Sequence, residues 1–248
     1  MKIDVWQKIW ENYQFDPKND LWEFDWERSQ PRWKQALQYF QEKWGGLKGR
    51  SVIELGCGRA TEALLACCEG ANITLVDENK TALVLAKKRF KFYGLESQLR
   101  LVQSDVLNLD KKLSGKFDAS MSLGLAEHFI GNRRQKVITA HSEVLKPSGV
   151  AMISVPNRQC LPYRLWMLRE KLFNKWSYGL EAPYSPKELT EKVKIAKMKP
   201  IFLVGSSIIN DIFYLFVPPK FKRLRSLILP TPFDSQLGHV LTVLAQRV

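Results

Sequence analysis

Residues 51–60 read Ser-Val-Ile-Glu-Leu-Gly-Cys-Gly-Arg-Ala, and no other stretch limits the fold as strongly. An apolar-biased run enters Gly56-Cys-Gly58, and the helix-forming run Thr61-Glu-Ala-Leu-Leu-Ala-Cys-Cys68 follows at once. The pattern is strand, tight turn, helix. Glycines at such a turn let backbone N–H groups come close to a ligand, and a helix N-terminus behind them favours negative charge. The stretch therefore predicts a ligand bearing a carboxylate or phosphate.

The alternation continues downstream. Strand patterns at 52–55, 73–76, 99–103, 117–122 and 150–155 are separated by helical patterns at 59–69, 80–93 and 132–145, the second capped by Asn79 and stopped by Gly94. Such spacing predicts βαβ units in an α/β fold, a doubly wound parallel sheet with helices on both faces. Ligands of these sheets bind beyond the carboxyl ends of the strands. Asp77, Asp105 and Glu127 all follow predicted strands.

Two cofactor classes compete for that position. The dinucleotide fingerprint G-x-G-x-x-G requires a third glycine where this chain has Thr61. An acidic residue after the second strand, Asp77, suits a ribose diol, because a carboxylate accepts two hydroxyl hydrogen bonds. Val52-Ile-Glu-Leu-Gly-Cys-Gly58, Asp77, Ser104-Asp105-Val106 and the run Phe117 to His128 together resemble the motifs of the class I S-adenosylmethionine-dependent methyltransferases, over about residues 48–156.

That resemblance implies a Rossmann-like, mostly parallel seven-stranded sheet whose sixth and seventh strands, at 201–204 and 240–245, form an antiparallel edge. It implies S-adenosylmethionine as cofactor. The backbone around Glu54, Gly56, Cys57 and Gly58 would hold its methionine part, Asp77 with Glu78 the ribose, Asp105 with Val106 the adenine, and Leu123 would lie beside the sulfonium. Ala60 stands where the family often has glycine, and its methyl group is tolerable if the backbone there stays helical. In the insertion at about 157–185, Tyr163, Tyr178, Glu181 and Tyr184 become substrate-facing candidates by the same resemblance.

The sulfonium makes the methyl electrophilic, so the protein must hold a nucleophile in line, exclude water and accept a proton if one leaves. Glu127 and His128 lie where the fourth strand delivers its loop, and both are candidate catalytic bases. His128 also fits a purely structural role at the start of the next helix. No metal is expected, since Cys57, Cys67, Cys68 and Cys160 lack ligand spacing.

Six of the eight tryptophans fall in the first 44 residues, and Trp6, Ile9, Trp10 and Tyr13 recur on one helical face. Residues 1–48 therefore read as an aromatic helical arm before a methyltransferase domain at 49–248. Its rings suit either packing on the core or a lid over the cleft.

The net charge is +13, and the last 98 residues carry 15 basic against 6 acidic side chains. A small organic acceptor is favoured. The basic C-terminal third leaves two alternatives: RNA methylation, or a membrane-associated lipid or isoprenoid methyltransferase whose segment 218–229 rests on an anionic surface. No apolar run reaches the roughly 18 residues of a spanning helix, and the first residues form no secretory signal, so a cytoplasmic enzyme is expected. Oligomeric state is left open.

Overall fold

The computed structural model describes residues 5–217, 221 and 229–248 of the chain. The expectations for the basic segment 218–229 fall almost wholly outside those residues. Three helices come first, α1 (Val5–Asn12), α2 (Pro17–Ser29) and α3 (Pro31–Trp44). Asp16 caps α2 by accepting from Lys18 N, and Pro17 and Pro31 occupy first-turn positions where a missing N–H costs nothing.

The sheet strands are β1 (Ser51–Leu55), β2 (Asn72–Asp77), β3 (Leu99–Gln103), β4 (Phe117–Leu123), β5 (Leu145–Pro156), β6 (Met198–Gly205) and β7 (Val240–Arg247), in spatial order β3-β2-β1-β4-β5-β7-β6. β7 runs antiparallel to both β5 and β6, and the remaining pairs are parallel. This is the expected mostly parallel α/β sheet with an antiparallel edge. Between them lie α4 (Thr61–Cys68), α5 (Lys80–Phe92), α6 (Asn132–Val144), α7 (Leu161–Leu172), α8 (Pro186–Ile195) and α9 (Ile208–Phe216). The order reverses between β1 and β4, so a crevice opens at their carboxyl ends.

Several elements differ from the sequence reading, β6 beginning at Met198 rather than 201 and β7 ending at Arg247 rather than 245. β5 begins at Leu145 rather than 150, because Lys146-Pro-Ser-Gly149 enters the sheet through an irregular register beside Phe117 and Ala119, with Ser148 left-handed at φ 60°. α9 was not foreseen. Ser207 caps it by accepting from Asn210 N, a local signal hidden by the apolar run that follows.

The predicted arm splits by role. Phe24, Trp33, Ala36, Phe40 and Leu47 belong to the same buried cluster as Val52, Leu64 and Leu75. α1, in contrast, has no buried residue. α2 is further fixed by a buried ionic hub: Asp20 accepts from Arg89 Nε at 2.8 Å, from Arg59 at 3.1 Å and from the Tyr93 hydroxyl at 3.0 Å. Removing one member leaves an unpaired charge in the interior. We expect Asp20→Ala to lower the urea unfolding free energy by about 3 kcal/mol or more, whereas a loss below about 1 kcal/mol would mean that the hub does not anchor α2.

Candidate active site

The turn after β1 is built from left-handed residues: Gly56, Gly58 and Ala60 have φ of 61°, 47° and 55°. A Cβ on Gly56 would push the Leu125 side-chain tip aside, and one on Gly58 would stand 3.0 Å from the Trp10 ring, so it is the left-handed conformation above all that calls for glycine at both positions. Ala60 departs from expectation, since its backbone is left-handed rather than helical. Its methyl group costs about 1 kcal/mol there, offset in part by its complete burial.

The hydrogen bonds of this turn also revise the opening expectation. The first turn of α4 is met by the chain's own carboxyl, with Ala63 N donating to Glu54 Oε2 at 2.9 Å. Burial, with Glu62 adding, pushes Glu54 well above the usual carboxylate range. Cys57 N donates to Val76 O and Gly58 N to Asp77 Oδ2, both at 3.0 Å. Two N–H groups of the turn are thus already satisfied within the protein. Asp77 also accepts from Asn79 N at 2.9 Å, which fixes its carboxylate at the end of β2.

A cavity of about 1020 Å³ opens here, and every cofactor candidate lines it: Glu54, Gly56, Cys57, Gly58, Asp77, Glu78, Asp105, Val106 and Leu123. Asp105 is oriented by accepting from Leu107 N at 2.8 Å and from Asn108 Nδ2 at 2.9 Å. Glu27, Glu54, Asp77, Glu78, Asp105, Glu127 and Glu181 bring seven carboxyl groups to the wall, against the guanidinium groups of Arg59 and Arg133. Such a wall suits a cofactor carrying sulfonium and ammonium charges and disfavours a pyrophosphate.

The other half of the cavity is aromatic. Trp6, Phe129, Tyr163, Trp166, Trp176 and Tyr178 line it with Glu127, His128, Glu181 and His239. Glu127 is buried, and its Oε2 has no hydrogen-bond partner among the described residues. Burial, with Glu181 adding, raises its pKa to about 8, and burial raises Glu181 to about 7. His128 Nδ1 lies 2.7 Å from Leu180 O, so that nitrogen carries the proton, and burial lowers the ring's pKa and keeps it neutral. Its Nε2 is 3.8 Å from Glu127 Oε1, and Trp6 packs edge-on against the ring at 4.8 Å.

Among the substrate candidates, Tyr163, Tyr178 and Glu181 reach the cavity and Tyr184 does not. Tyr184 is fully buried, its hydroxyl donates to Ala126 O at 3.3 Å, and the Arg134 guanidinium lies 3.4 Å from its ring centre. It supports the Glu127 loop from beneath. The sequence reading missed Trp166, Trp176 and His239. The two tryptophans had a signal, as the chain's only ones beyond residue 44. His239 had none, because the entry of β7 brings it from the far end of the chain to stack on Tyr163 at 4.1 Å.

A family model described as "Methyltransferase domain" matches residues 52–149. A ubiquinone biosynthesis O-methyltransferase from Dechloromonas aromatica is 28% identical over 165 residues, covering 65% of this chain and 69% of that protein. A methyltransferase domain thus occupies residues 52–149, and the matches support a class I S-adenosylmethionine-dependent methyltransferase. Solved structures agree on the fold of this methyltransferase. Magnesium protoporphyrin IX methyltransferase from Synechocystis PCC 6803, with S-adenosylhomocysteine bound, superposes with a TM-score of 0.62 at 13% identity, covering 99% of this chain and 94% of that one. The 1,6-didemethyltoxoflavin-N1-methyltransferase of Burkholderia thailandensis gives 0.59 at 16% identity, covering 98% and 88%.

Desolvated carboxyl groups, two in the site and one in the interior behind it, make the stability of the methyltransferase fall with pH. Glu62, Glu127 and Glu181 have folded values of about 7, 8 and 7 against an ordinary 4.5, so the folded state holds protons that the unfolded chain has already released. Their contribution is complete below the unfolded value and is lost as pH rises through the folded ones. The histidines His128, His141 and His239, lowered by burial, act in the opposite sense, but only below their ordinary 6.5. Between pH of about 6.5 and about 8.5 the melting temperature should therefore decline, and Glu127→Gln should flatten the decline. A flat or rising wild-type profile would contradict these environments.

Proposed function

We propose that this methyltransferase transfers a methyl group to a hydroxyl of a small acceptor with an apolar or aromatic body, and that Glu127 removes the hydroxyl proton. The observation that carries this reading is the unpartnered Glu127 Oε2 in an aromatic wall, with a pKa near 8. A base with that value is strong enough to assist a phenol and is partly ionised near neutral pH. The relatives named as O-methyltransferases support oxygen as the acceptor atom.

S-adenosylmethionine, when bound, supplies the electrophilic methyl group. In this reading Asp77 and Glu78 hold the ribose hydroxyls, Asp105 and Val106 meet the adenine, and Leu123 lies near the sulfonium. Glu54 acts on the turn rather than on the ligand, because its carboxyl is bonded to Ala63 N. With the Cys57 and Gly58 N–H groups committed within the protein, the turn has fewer donors for an anion than a phosphate-binding loop would need. Tyr163, Trp166, Trp176 and Tyr178 hold the acceptor body. His128 is a positioning group that ties Leu180 and Trp6 to the Glu127 loop.

The lid is α1 alone rather than the whole arm. Trp6 and Trp10 line the cavity, Asn79 Nδ2 donates to Gln7 Oε1 at 2.7 Å, and no residue of the helix is buried. An RNA acceptor is disfavoured because the acceptor half of the cavity is lined mainly by aromatic rather than basic side chains. The four unpaired cysteines support a cytoplasmic enzyme, as a reducing compartment leaves them.

Two measurements test the reading. Asp77→Ala should weaken S-adenosylhomocysteine binding by more than about 1 kcal/mol in calorimetry, the worth of its charge-assisted bonds. Unchanged affinity in a folded variant would remove Asp77 from the ribose. For wild type, kcat/KM toward hydroxylated aromatic acceptors should rise with pH to a plateau above an apparent pKa of about 8. Glu127→Gln should lose that limb and about 100-fold or more in rate while still binding S-adenosylhomocysteine. Methylation confined to amines would refute the hydroxyl assignment.

A further inference from the structure

α7 presents two apolar faces, and among the described residues only one is covered. Tyr163 and Trp166 turn toward the cavity. On the opposite side Leu161, Leu165, Leu168 and Leu172 are 60%, 52%, 54% and 72% exposed, and Phe173 just beyond is 68% exposed. At about 100° per residue the four leucines fall within an arc of about 60°. The stripe exposes on the order of 500 Å² of apolar surface, at the upper end of what a monomer leaves bare.

The charges around it have one sign. Arg164 and Lys171 flank the stripe on one side and Arg169 on the other, all three exposed. The helix's acid, Glu170, is turned inward with its side chain 14% exposed and is paired with Arg169 at 3.1 Å. Lys171 lies over the Trp176 ring at 5.2 Å, its stem along the aromatic loop.

We propose that this face of α7 seats the enzyme on an anionic lipid bilayer, the leucines and Phe173 entering the headgroup–acyl boundary and the flanking cations pairing with lipid phosphates. Leucines in the middle and cations along both margins match that boundary, where basic side chains reach up to the headgroups while their stems lie in the apolar layer. A second copy of the chain fits less well. A two-fold contact through the stripe would bring the cationic margins of the two copies together, and the patch is smaller than the roughly 800 Å² per partner of a stable interface. The inference draws on the reading of the active site in one respect: α7 would then stand between bilayer and acceptor pocket, so an amphipathic acceptor passes from one to the other along a single helix.

The test is flotation of the full-length protein with phosphatidylcholine vesicles made with and without phosphatidylglycerol. Wild type should float with the anionic vesicles, less so as salt is raised, and not with the neutral ones. The double variant Leu165→Glu/Leu168→Glu, at positions already more than half exposed, should lose at least about tenfold in vesicle binding. Val84→Glu, an equally exposed apolar position on α5, should behave as wild type. Calorimetry with S-adenosylhomocysteine, run on each protein, reports separately on the cofactor site. Its failure in wild type would sink the site reading and leave the flotation result standing. The surface assignment is overturned if wild type does not float, if it floats equally on neutral vesicles, if the double variant floats like wild type, or if that variant instead dissociates a dimer that ignores lipid.

Discussion

The reversal of the chain between Leu55 and Thr61 is the constraint on which the remainder depends. β1 is the central strand at which the sheet order turns, so the direction in which it releases the chain sets where the cavity opens. Three left-handed residues in alternate positions make the turn sharp enough for α4 to fold back at once. Two acidic side chains hold it from either side. Glu54 reaches forward to the first turn of α4, and Asp77 reaches across from the neighbouring strand to Gly58 N. A carboxylate is well suited to both tasks, since it accepts several N–H bonds in a short reach. The turn is therefore preorganised by the protein's own acids before any ligand arrives.

The electrostatics of the cavity follow from burial rather than from net charge. The chain as a whole is strongly basic, yet the cavity wall is acidic, and its deepest carboxyl groups are held partly protonated by desolvation. An anionic pocket in a cationic protein separates two kinds of attraction. The surface acts at a distance and is screened by salt, whereas the pocket acts at contact in a dry environment and is screened little. The aromatic half takes this further by burying Glu127, which raises its pKa above the ordinary carboxylate range.

The parts of this architecture legible in the sequence are those governed by local rules. The Asn79 cap, the Gly94 stop and the strand-end aspartates each depend on a few neighbouring residues, and each lies where the pattern placed it. The parts that were not legible depend on long-range arrival. His239 reaches the cavity only because β7 inserts between β5 and β6. Tyr184 read as a pocket residue by its place in the insertion, but the bridge between Asn157 and Tyr184 turns that segment under the Glu127 loop. Ala60 misled for a subtler reason: a residue type that favours helix was overruled by a turn that demands a left-handed backbone at that point. The arm shows the same limit, because aromatic periodicity marks a face without saying whether core or cavity will cover it.

The Asp20–Arg89 hub couples two parts of the chain that lie far apart in sequence. Arg89 bonds through one nitrogen to Asp20 of α2 and through another, at 2.9 Å, to the carbonyl of Arg59 and, at 2.8 Å, to the hydroxyl of Thr61. A helix outside the sheet and the turn at its centre thus share a single guanidinium. Loosening either one removes partners from the other, so α2 is structurally part of the turn after β1 although it touches the cavity only at its margin. The residue that would have marked the site as a dinucleotide loop, had it been glycine, is Thr61, and its hydroxyl instead accepts from the guanidinium that ties helix and turn together.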